Sequence, residues 1–393
     1  MPAFYVSCLL AFSSGHMFNY SVIIYLQEEV AAPAMAGLGF ALCFGPPLVF
    51  GWFAGAWCDR VSPLRLIHAA QALFIVALGL LWWAHHYVAL PAARVPPLLL
   101  AASLAGVAWS FVAPARMATL GRLVDAARIK PASVTFNLLV MLGFGLGPLL
   151  IGAARQAGGW PAVYATAVAG FALASLLVLP LRLPALQRDL KSPVLADIRA
   201  GFGAVRDEPL LAQLLIAAIL IYLLMGPMQL LLPRLARDRL LLSEVERGSF
   251  LGLIAVALIL GGLGTLLLVK RLHHGRSIFL GLGAAGLLFA LLAAAQTTAQ
   301  ASVLLLAAGT CGGMVVSLIV AGLQAHVPDA LRGRVMSMYT MSSQVIPALS
   351  GLAAGFGHKY LGLLATTVVA GAVLIAAALG GALLMPRLRR AAT

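Results

Sequence analysis

The sequence has few charged residues, and those it has avoid the middle of its long apolar runs. Only 10% of the 393 residues are Asp, Glu, Lys or Arg, whereas a soluble domain carries roughly a quarter. The four Cys show no paired spacing, so neither a disulfide nor a metal site is expected. No Gly-x-x-x-x-Gly-Lys loop is present, which argues against ATP as an energy source, and we expect no cofactor.

Uncharged stretches long enough to cross a membrane fill most of the chain. Hydrophobic residues make up 62% of it, and roughly 20 consecutive apolar residues suffice for a transmembrane helix. The stretches are continuous rather than alternating, which predicts helices and not barrel strands. One stretch, 277–328, is long enough for two helices, with Gln296–Gln300 as the polar break. Twelve transmembrane helices are therefore predicted from the uncharged stretches 1–27, 30–58, 66–93, 95–115, 131–154, 156–181, 209–233, 248–269, 277–328, 335–358 and 360–386.

The distribution of basic residues indicates an orientation. With Met1 inside, nineteen of the 26 Lys and Arg fall on the inner side, as the positive-inside rule requires. Both termini are thus predicted to be cytoplasmic, and the net charge of +14 indicates topology rather than nucleic-acid binding. The longest inner loop, 182–208, predicts two six-helix bundles, 1–181 and 209–393, joined by an amphipathic linker at the membrane surface.

A charged pattern follows the second predicted helix. Gly55-x-x-x-Asp59-Arg60-x-x-x-x-Arg65 resembles the cytoplasmic signature loop of the major facilitator superfamily, although Ser62-Pro63 replaces its usual Gly. In that family the Gly permits close helix contact, and the Asp pairs with basic groups and a helix end of the neighbouring bundle. The resemblance implies an inner gate formed by Gly55, Asp59, Arg60, Arg65, Arg116, Arg332 and Arg334.

Two further patterns resemble exporter branches of the same superfamily. Glycine allows helices to approach closely and proline allows a bend. The fifth predicted helix is similar to the Gly-Pro motif of antiporter branches, although the paired Gly that usually follows is absent; its residues are Gly143, Gly145, Gly147, Pro148 and Gly152. Two other segments, Pro114-Ala115-Arg116 and Val327–Tyr339, look like loops of the branch that contains macrolide and siderophore exporters. The resemblance implies a drug:proton antiporter in the twelve-helix major facilitator fold.

Polar side chains inside the predicted helices are few, and they are the candidates for binding substrate or protons. His16 stands where members of that branch often have an Asp, and a histidine titrates near neutral pH. No acid lies in mid-helix, which leaves His16, Glu28, Glu29 or Asp125 as the carrier of a coupling proton, or no proton coupling at all. For Glu28 and Glu29 we favour a solvated outer loop. In the resembling fold, helices 1, 4, 7 and 10 line the path. The cavity candidates are His16, Asn19, Tyr20, Trp109, Asn137, Tyr222, Met225, Gln229 and Gln344.

The interpretation that fits these features best is a secondary active exporter of a small amphipathic molecule, such as a drug or a siderophore, working by alternating access. Proton coupling is left open. An alternative is a lipid or lysolipid flippase, or an uncoupled facilitator, because a nearly uncharged interior suits an amphiphile. A membrane receptor or enzyme is a remote alternative, since the spans lack clustered catalytic groups. We expect a monomer in the inner membrane of a bacterium, with no enzymatic activity.

Overall fold

The structure, a computed structural model, describes residues 1–125, 128–183, 203, 205–268, 274–327 and 332–391. Within these residues it contains helices and no β-strand. The chain divides into two compact units, here called unit 1 (Met1–Lys191 with Leu242–Gly252) and unit 2 (Ser192–Leu241 with Leu253–Thr393). Most of the predicted linker, 184–202 and 204, lies outside the described residues. The predicted boundaries at 181 and 209 stay a prediction.

Unit 1 is organised around its first helix, which is buried over almost its whole length. Its helices are α1 (Pro2–Glu28), α2 (Pro33–Phe44), α3 (Pro47–Arg60), α4 (Pro63–Tyr87), α5 (Val95–Leu123) and α6 (Ile129–Val178), and a 3₁₀ turn, Pro91–Arg94, precedes α5. Prolines begin α2, α3 and α4, where the missing N–H has no helical acceptor to lose. The packing of α6 and α5 around α1 places the polar residues of α1 inside the unit.

Two helices of unit 1 are interrupted. The stretch predicted as one second helix is broken at Gly45–Pro46, between α2 and α3. Inside α6 the backbone leaves helical geometry at Gly158 and Gly159, where Gly159 has φ +65°, a value that favours glycine. Pro161 lies two residues further on, and α6 consists of two helical segments joined by a kink.

Unit 2 carries the remaining helices. They are α7 (Pro209–Arg234), which continues into a π-helical turn at Leu235–Arg239, α8 (Glu244–Leu268), α9 (His274–Leu291), α10 (Thr298–His326), α11 (Arg332–Leu361), α12 (Leu363–Leu384) and α13 (Pro386–Arg390). The first residues of α8 group with unit 1. Between α9 and α10 the chain breaks at 295–297, and the side chain of Thr297 caps α10 by accepting a hydrogen bond from the Gln300 N–H. The break predicted within 277–328 is therefore confirmed.

Ten helices in the described part of the chain are long and apolar enough to cross a membrane. One of the ten covers Pro131–Val178, which contains the kink at Gly158–Gly159, and α11 is not among them. Leucines on the outside of these helices are strongly exposed, as lipid contact requires; Leu267 is 82% exposed and Leu384 is 81% exposed. An all-helical protein with several membrane spans is confirmed, whereas the count of twelve is not.

Candidate functional site

A buried polar cluster lies on α1, facing α5 and α6. The ring of His16 lies 5.2 Å from the ring of Trp109 on α5 and 4.9 Å from that of Phe144 on α6. One turn further along α1, the Asn19 side-chain oxygen accepts a hydrogen bond of 3.0 Å from the Trp109 indole N–H. Tyr20 is completely buried beside Phe144. Four of the predicted cavity residues are thus brought together: His16, Asn19, Tyr20 and Trp109.

Several polar atoms of this cluster are buried without a hydrogen-bond partner. They are His16 Nδ1, Asn19 Nδ2, the Tyr20 hydroxyl and the hydroxyls of Ser13 and Ser21. Burying an unpaired polar group costs free energy, so the great majority of such groups in native proteins have partners. Among the described side chains, no carboxylate forms a hydrogen bond or an ion pair with the cluster. The α1 polar cluster therefore has unused hydrogen-bonding capacity and no described negative charge.

An aromatic layer surrounds the indole of Trp109. Phe12 and Phe44 lie nearly parallel to it, each with a centroid separation of 6.4 Å, and Phe74 meets it edge-on at 5.6 Å. Gly15 leaves room for this ring, because an added Cβ there would lie 2.6 Å from a Trp109 ring carbon. Aromatic faces at these spacings offer an apolar, polarizable surface to a neighbouring group.

The glycines of α6 bring that helix into backbone contact with α1 and with the start of α8. An added Cβ would lie 2.5 Å from Phe12 Cβ at Gly143 and 2.8 Å from His16 Cβ at Gly147. At Gly152 it would meet the carbonyl oxygen of Glu244. A Cβ added at Gly248 of α8 would likewise lie 2.6 Å from the carbonyl oxygen of Pro148. The predicted Gly-Pro motif therefore forms the close seam that holds His16 in place.

The remaining cavity candidates lie in other places. Tyr222 of α7 and Tyr339 of α11 share a hydroxyl–hydroxyl hydrogen bond of 2.7 Å inside unit 2. In the same unit, Gln229 and Gln344 each bury a side-chain oxygen that has no partner, and Met225 is half-buried. Asn137, by contrast, is exposed on α6. The structure does not place it in the α1 polar cluster.

Comparison with known proteins identifies the family. The profile described as Major Facilitator Superfamily matches residues 4–351, nearly the whole chain. The chain belongs to the major facilitator superfamily. It is accordingly a multi-pass membrane transporter and not an enzyme. No protein of curated function matches the sequence.

Solved structures of other major facilitators share the fold of this one. A bacterial homolog of the human lysosomal transporter Spinster, inward-facing and unoccupied, superimposes with a TM-score of 0.80 at 14% identity, covering 98% of this chain and 96% of that one. A point mutant of the nucleoside transporter NupG gives a TM-score of 0.78 at 14% identity, with 98% of both chains covered. A POT family transporter in complex with a thioalcohol-conjugated peptide gives a TM-score of 0.77 at 13% identity, covering 98% of this chain and 96% of that one. At these identities the likeness establishes the fold alone.

The residues of the family's signature loop are only partly described. Gly55 and Asp59 lie in the C-terminal half of α3, and Arg332 begins α11, but the side chains of Asp59 and Arg332 are not among those that the structure describes. Arg60 and Arg65 are exposed, and Arg334 is half-buried on α11. The inner gate therefore stays a prediction.

Arg116 is not a loop residue, although the sequence interpretation placed it among the inner loops. It lies within α5 and is only 1% exposed. Its Nη1 donates to Ser7 Oγ at 3.1 Å and to Cys8 Sγ at 3.4 Å, both on α1. The apolar seam between α1 and α5 therefore contains a guanidinium group that the sequence alone did not locate.

An ion-pair cluster at the C-terminal end of α1 is the largest feature that the sequence interpretation missed. The Glu28 carboxylate accepts hydrogen bonds from Arg155 at 2.8 Å and from Arg247 at 2.7 Å. Glu244 pairs with the same two arginines, at 3.1 Å from Arg155 and at hydrogen-bond distance from Arg247. The carboxylate of the next residue, Glu29, accepts a hydrogen bond of 2.9 Å from the Trp160 indole N–H. The expectation of a solvated loop for Glu28 and Glu29 is therefore wrong.

This four-residue cluster also explains an irregularity of the charge pattern. The segment 234–247 carries four Arg on the predicted outer side, against the positive-inside trend. Arg247 is neutralised by Glu28 and Glu244, and Arg234 forms an ion pair with Asp238 at 3.2 Å. Basic residues paired in this way contribute little net positive charge to the loop.

Proposed function

We propose that this major facilitator is a secondary active exporter of a small amphipathic molecule, such as a drug or a siderophore. In this proposal the chain has twelve spans, with both termini in the cytoplasm of a bacterium. The ten apolar helices become eleven spans when α6 is divided at Gly158–Gly159, and α11 would be the twelfth. Alternating access of the two halves would carry the cargo across, as is usual for this fold.

The observation that carries the proposal is the α1 polar cluster inside an aromatic layer. Intramembrane polar groups are costly and usually mark a substrate or ion pathway. The unpaired atoms of His16, Asn19 and Tyr20 can hydrogen-bond a polar group of the cargo, and the rings around Trp109 can contact its apolar part. An amphipathic molecule satisfies both surfaces.

We assign the coupling proton to His16. Among the described side chains no carboxylate contacts the cluster, and an imidazole is the side chain that most readily exchanges a proton near neutral pH. Close packing against Gly147 holds this residue at the α1–α6 seam. Protonation there would introduce a positive charge into an apolar seam, which favours a rearrangement of the helices.

A second candidate is a lipid or lysolipid flippase, or an uncoupled facilitator. It is favoured by the same absence of a described carboxylate from the cluster, since such a transporter needs no proton carrier. The two candidates differ in their dependence on the proton gradient, which a transport assay measures directly.

The test compares efflux from cells that lack the gene and are complemented with variants. Accumulation of a macrolide, a ferric siderophore and a fluorescent dye is measured with and without an uncoupler. We expect complemented cells to accumulate less of at least one compound than cells that lack the gene. This difference should disappear when the uncoupler is added, and it should be absent in cells that carry His16→Gln. The matched control is His86→Gln, because His86 is exposed at the end of α4. Export that survives the uncoupler and His16→Gln would favour the uncoupled candidate.

A further inference from the structure

Arg116 presents a buried, unpaired donor. One of its terminal nitrogens, Nη1, donates to Ser7 and Cys8, whereas Nη2 is buried and has no acceptor. Ser7 is itself used, because its hydroxyl donates to the Ala174 carbonyl oxygen at 2.7 Å. The guanidinium group is thus held in position by neutral partners on α1 while part of its donor capacity is unused.

The charge of Arg116 is also uncompensated in the described part of the structure. An arginine side chain is a cation in proteins, so Arg116 brings a positive charge into this seam. No ion pair of Arg116 with a described carboxylate is present. A buried charge without a counter-charge is strongly destabilising, and proteins seldom keep one without a use for it.

A second unpaired donor lies next to the residue that accepts from Ser7. Ser175, next to Ala174 on α6, donates to the side-chain oxygen of Gln71 at 3.0 Å. The amide nitrogen of Gln71 is buried and has no acceptor. Both unused groups are N–H donors, each of which an oxygen acceptor would satisfy. We call Ser7, Gln71, Arg116 and Ser175 the donor network.

The donor network lies at a defined distance from the aromatic layer. Arg116 and Trp109 are both on α5, seven residues or about 10.5 Å apart along the axis. On the facing helix α1, Ser7 contacts Arg116 and Phe12 contacts Trp109. Both helices therefore place a polar group at one level and an aromatic ring at the other. A ligand that spans the two would have an anionic end and an aromatic or aliphatic body about 10 Å away.

We propose that Arg116 binds the carboxylate of an amphipathic anion whose apolar body lies against the Trp109 aromatic layer. A carboxylate carries one charge, which matches a single arginine, and its two oxygens match the planar donors of a guanidinium group. Because Arg116 is closed off here, the anion reaches it when α1 and α5 separate locally. The inference rests on the proposed transport function, for which it names the class of substrate.

The experiment measures binding without transport. Purified protein in dodecyl maltoside is titrated with 6-phenylhexanoate, 6-phenylhexanol and 6-phenylhexylamine, which share one apolar body, and affinities are taken from the rise in unfolding temperature. We expect the carboxylate to bind at least about tenfold more tightly than the alcohol or the amine, as hydrogen bonds to a charged group are stronger than neutral ones. Phosphatidylglycerol is titrated in parallel as a phosphate-bearing lipid.

Three variants assign any preference to Arg116. Arg116→Gln should remove the preference for the carboxylate, and Arg116→Lys, which keeps the charge, should retain part of it. Arg128→Gln, at an exposed site outside the network, should match the wild type. Equal binding of the three probes by the wild type, an unchanged preference in Arg116→Gln, or Arg116-dependent binding of phosphatidylglycerol alone would overturn the proposal. Uniform weakening of all three probes in both Arg116 variants would instead indicate a structural role and would overturn it too.

The outcomes separate this inference from the proposed function. If cells export compounds in a His16-dependent manner but the purified protein shows no carboxylate preference, the anion inference fails alone. If the preference is found but complemented cells show no efflux, the exporter proposal fails, and the site remains an anion site of a major facilitator.

Discussion

Replacing Glu28 by Gln removes the carboxylate at the centre of the four-residue ion-pair cluster. In the wild type two glutamates and two arginines balance each other, and the Glu28 side chain is only 7% exposed. In Glu28→Gln, Glu244 is the one carboxylate among the described side chains that still pairs with Arg155 and Arg247, and its side chain is 28% exposed. The variant therefore buries an excess positive charge.

The expected loss of stability follows from burial and from the number of bonds removed. Breaking a buried pair by removing one partner costs about 3–5 kcal/mol. Since Glu244 keeps a contact with both arginines and is partly solvated, we expect a loss of about 2–4 kcal/mol in the free energy of unfolding. The measurement is an unfolding titration of the purified protein with sodium dodecyl sulfate.

A double-mutant cycle shows whether the loss comes from the pair. Glu28→Gln and Arg247→Gln should be non-additive by about 1–3 kcal/mol, because the second substitution removes the excess positive charge that the first creates. Asp207→Asn, at an exposed site, is the control and should stay within about 0.5 kcal/mol of the wild type. If Glu28→Gln is as mild as this control, or if the two substitutions add, the cluster does not stabilise unit 1 as argued.

Two further substitutions test the seam and the predicted gate. Gly147→Ala places a Cβ 2.8 Å from that of His16, so we expect a loss of about 1–3 kcal/mol in unfolding free energy. Gly79→Ala, where nothing lies within 4 Å, should change it by less than about 1 kcal/mol; equal effects at both sites would contradict the packing argument. Asp59→Asn should lower efflux without lowering expression if the signature loop latches the inner gate. Normal efflux in that variant, equal to that of the exposed control Asp207→Asn, would remove Asp59 from the mechanism.

Much of the fold could be predicted because it depends on local composition. Long apolar runs must form helices in lipid, since their backbone groups have no other partner. The break between α9 and α10 was predictable from the polar residues around Thr297. The break at Gly45–Pro46 was not predicted, because no charged residue interrupts the apolar run there.

The candidate site was predictable only as a set of residue types. Polar residues on the first helix stand out in an apolar sequence, and four of the nine cavity candidates form the α1 polar cluster. The exposure of Asn137 was not predictable, since the side on which a helical residue lies depends on the neighbours of the helix. In a lipid-facing bundle, apolar periodicity is too weak to define that side.

The sequence by itself determined that this protein is a helical membrane protein with the motifs of a major facilitator, because span length and charge placement are local properties. The tertiary structure decided which charges are paired and which are not. Glu28 meets arginines that are 127 and 219 residues away, so its burial could not be read from its own surroundings in the chain. Arg116 meets Ser7 across 109 residues and lies inside the bundle instead of in a loop. Partners so distant in sequence are brought together only by the packing of helices, and that packing determines whether a charge is solvated, neutralised or left unpaired.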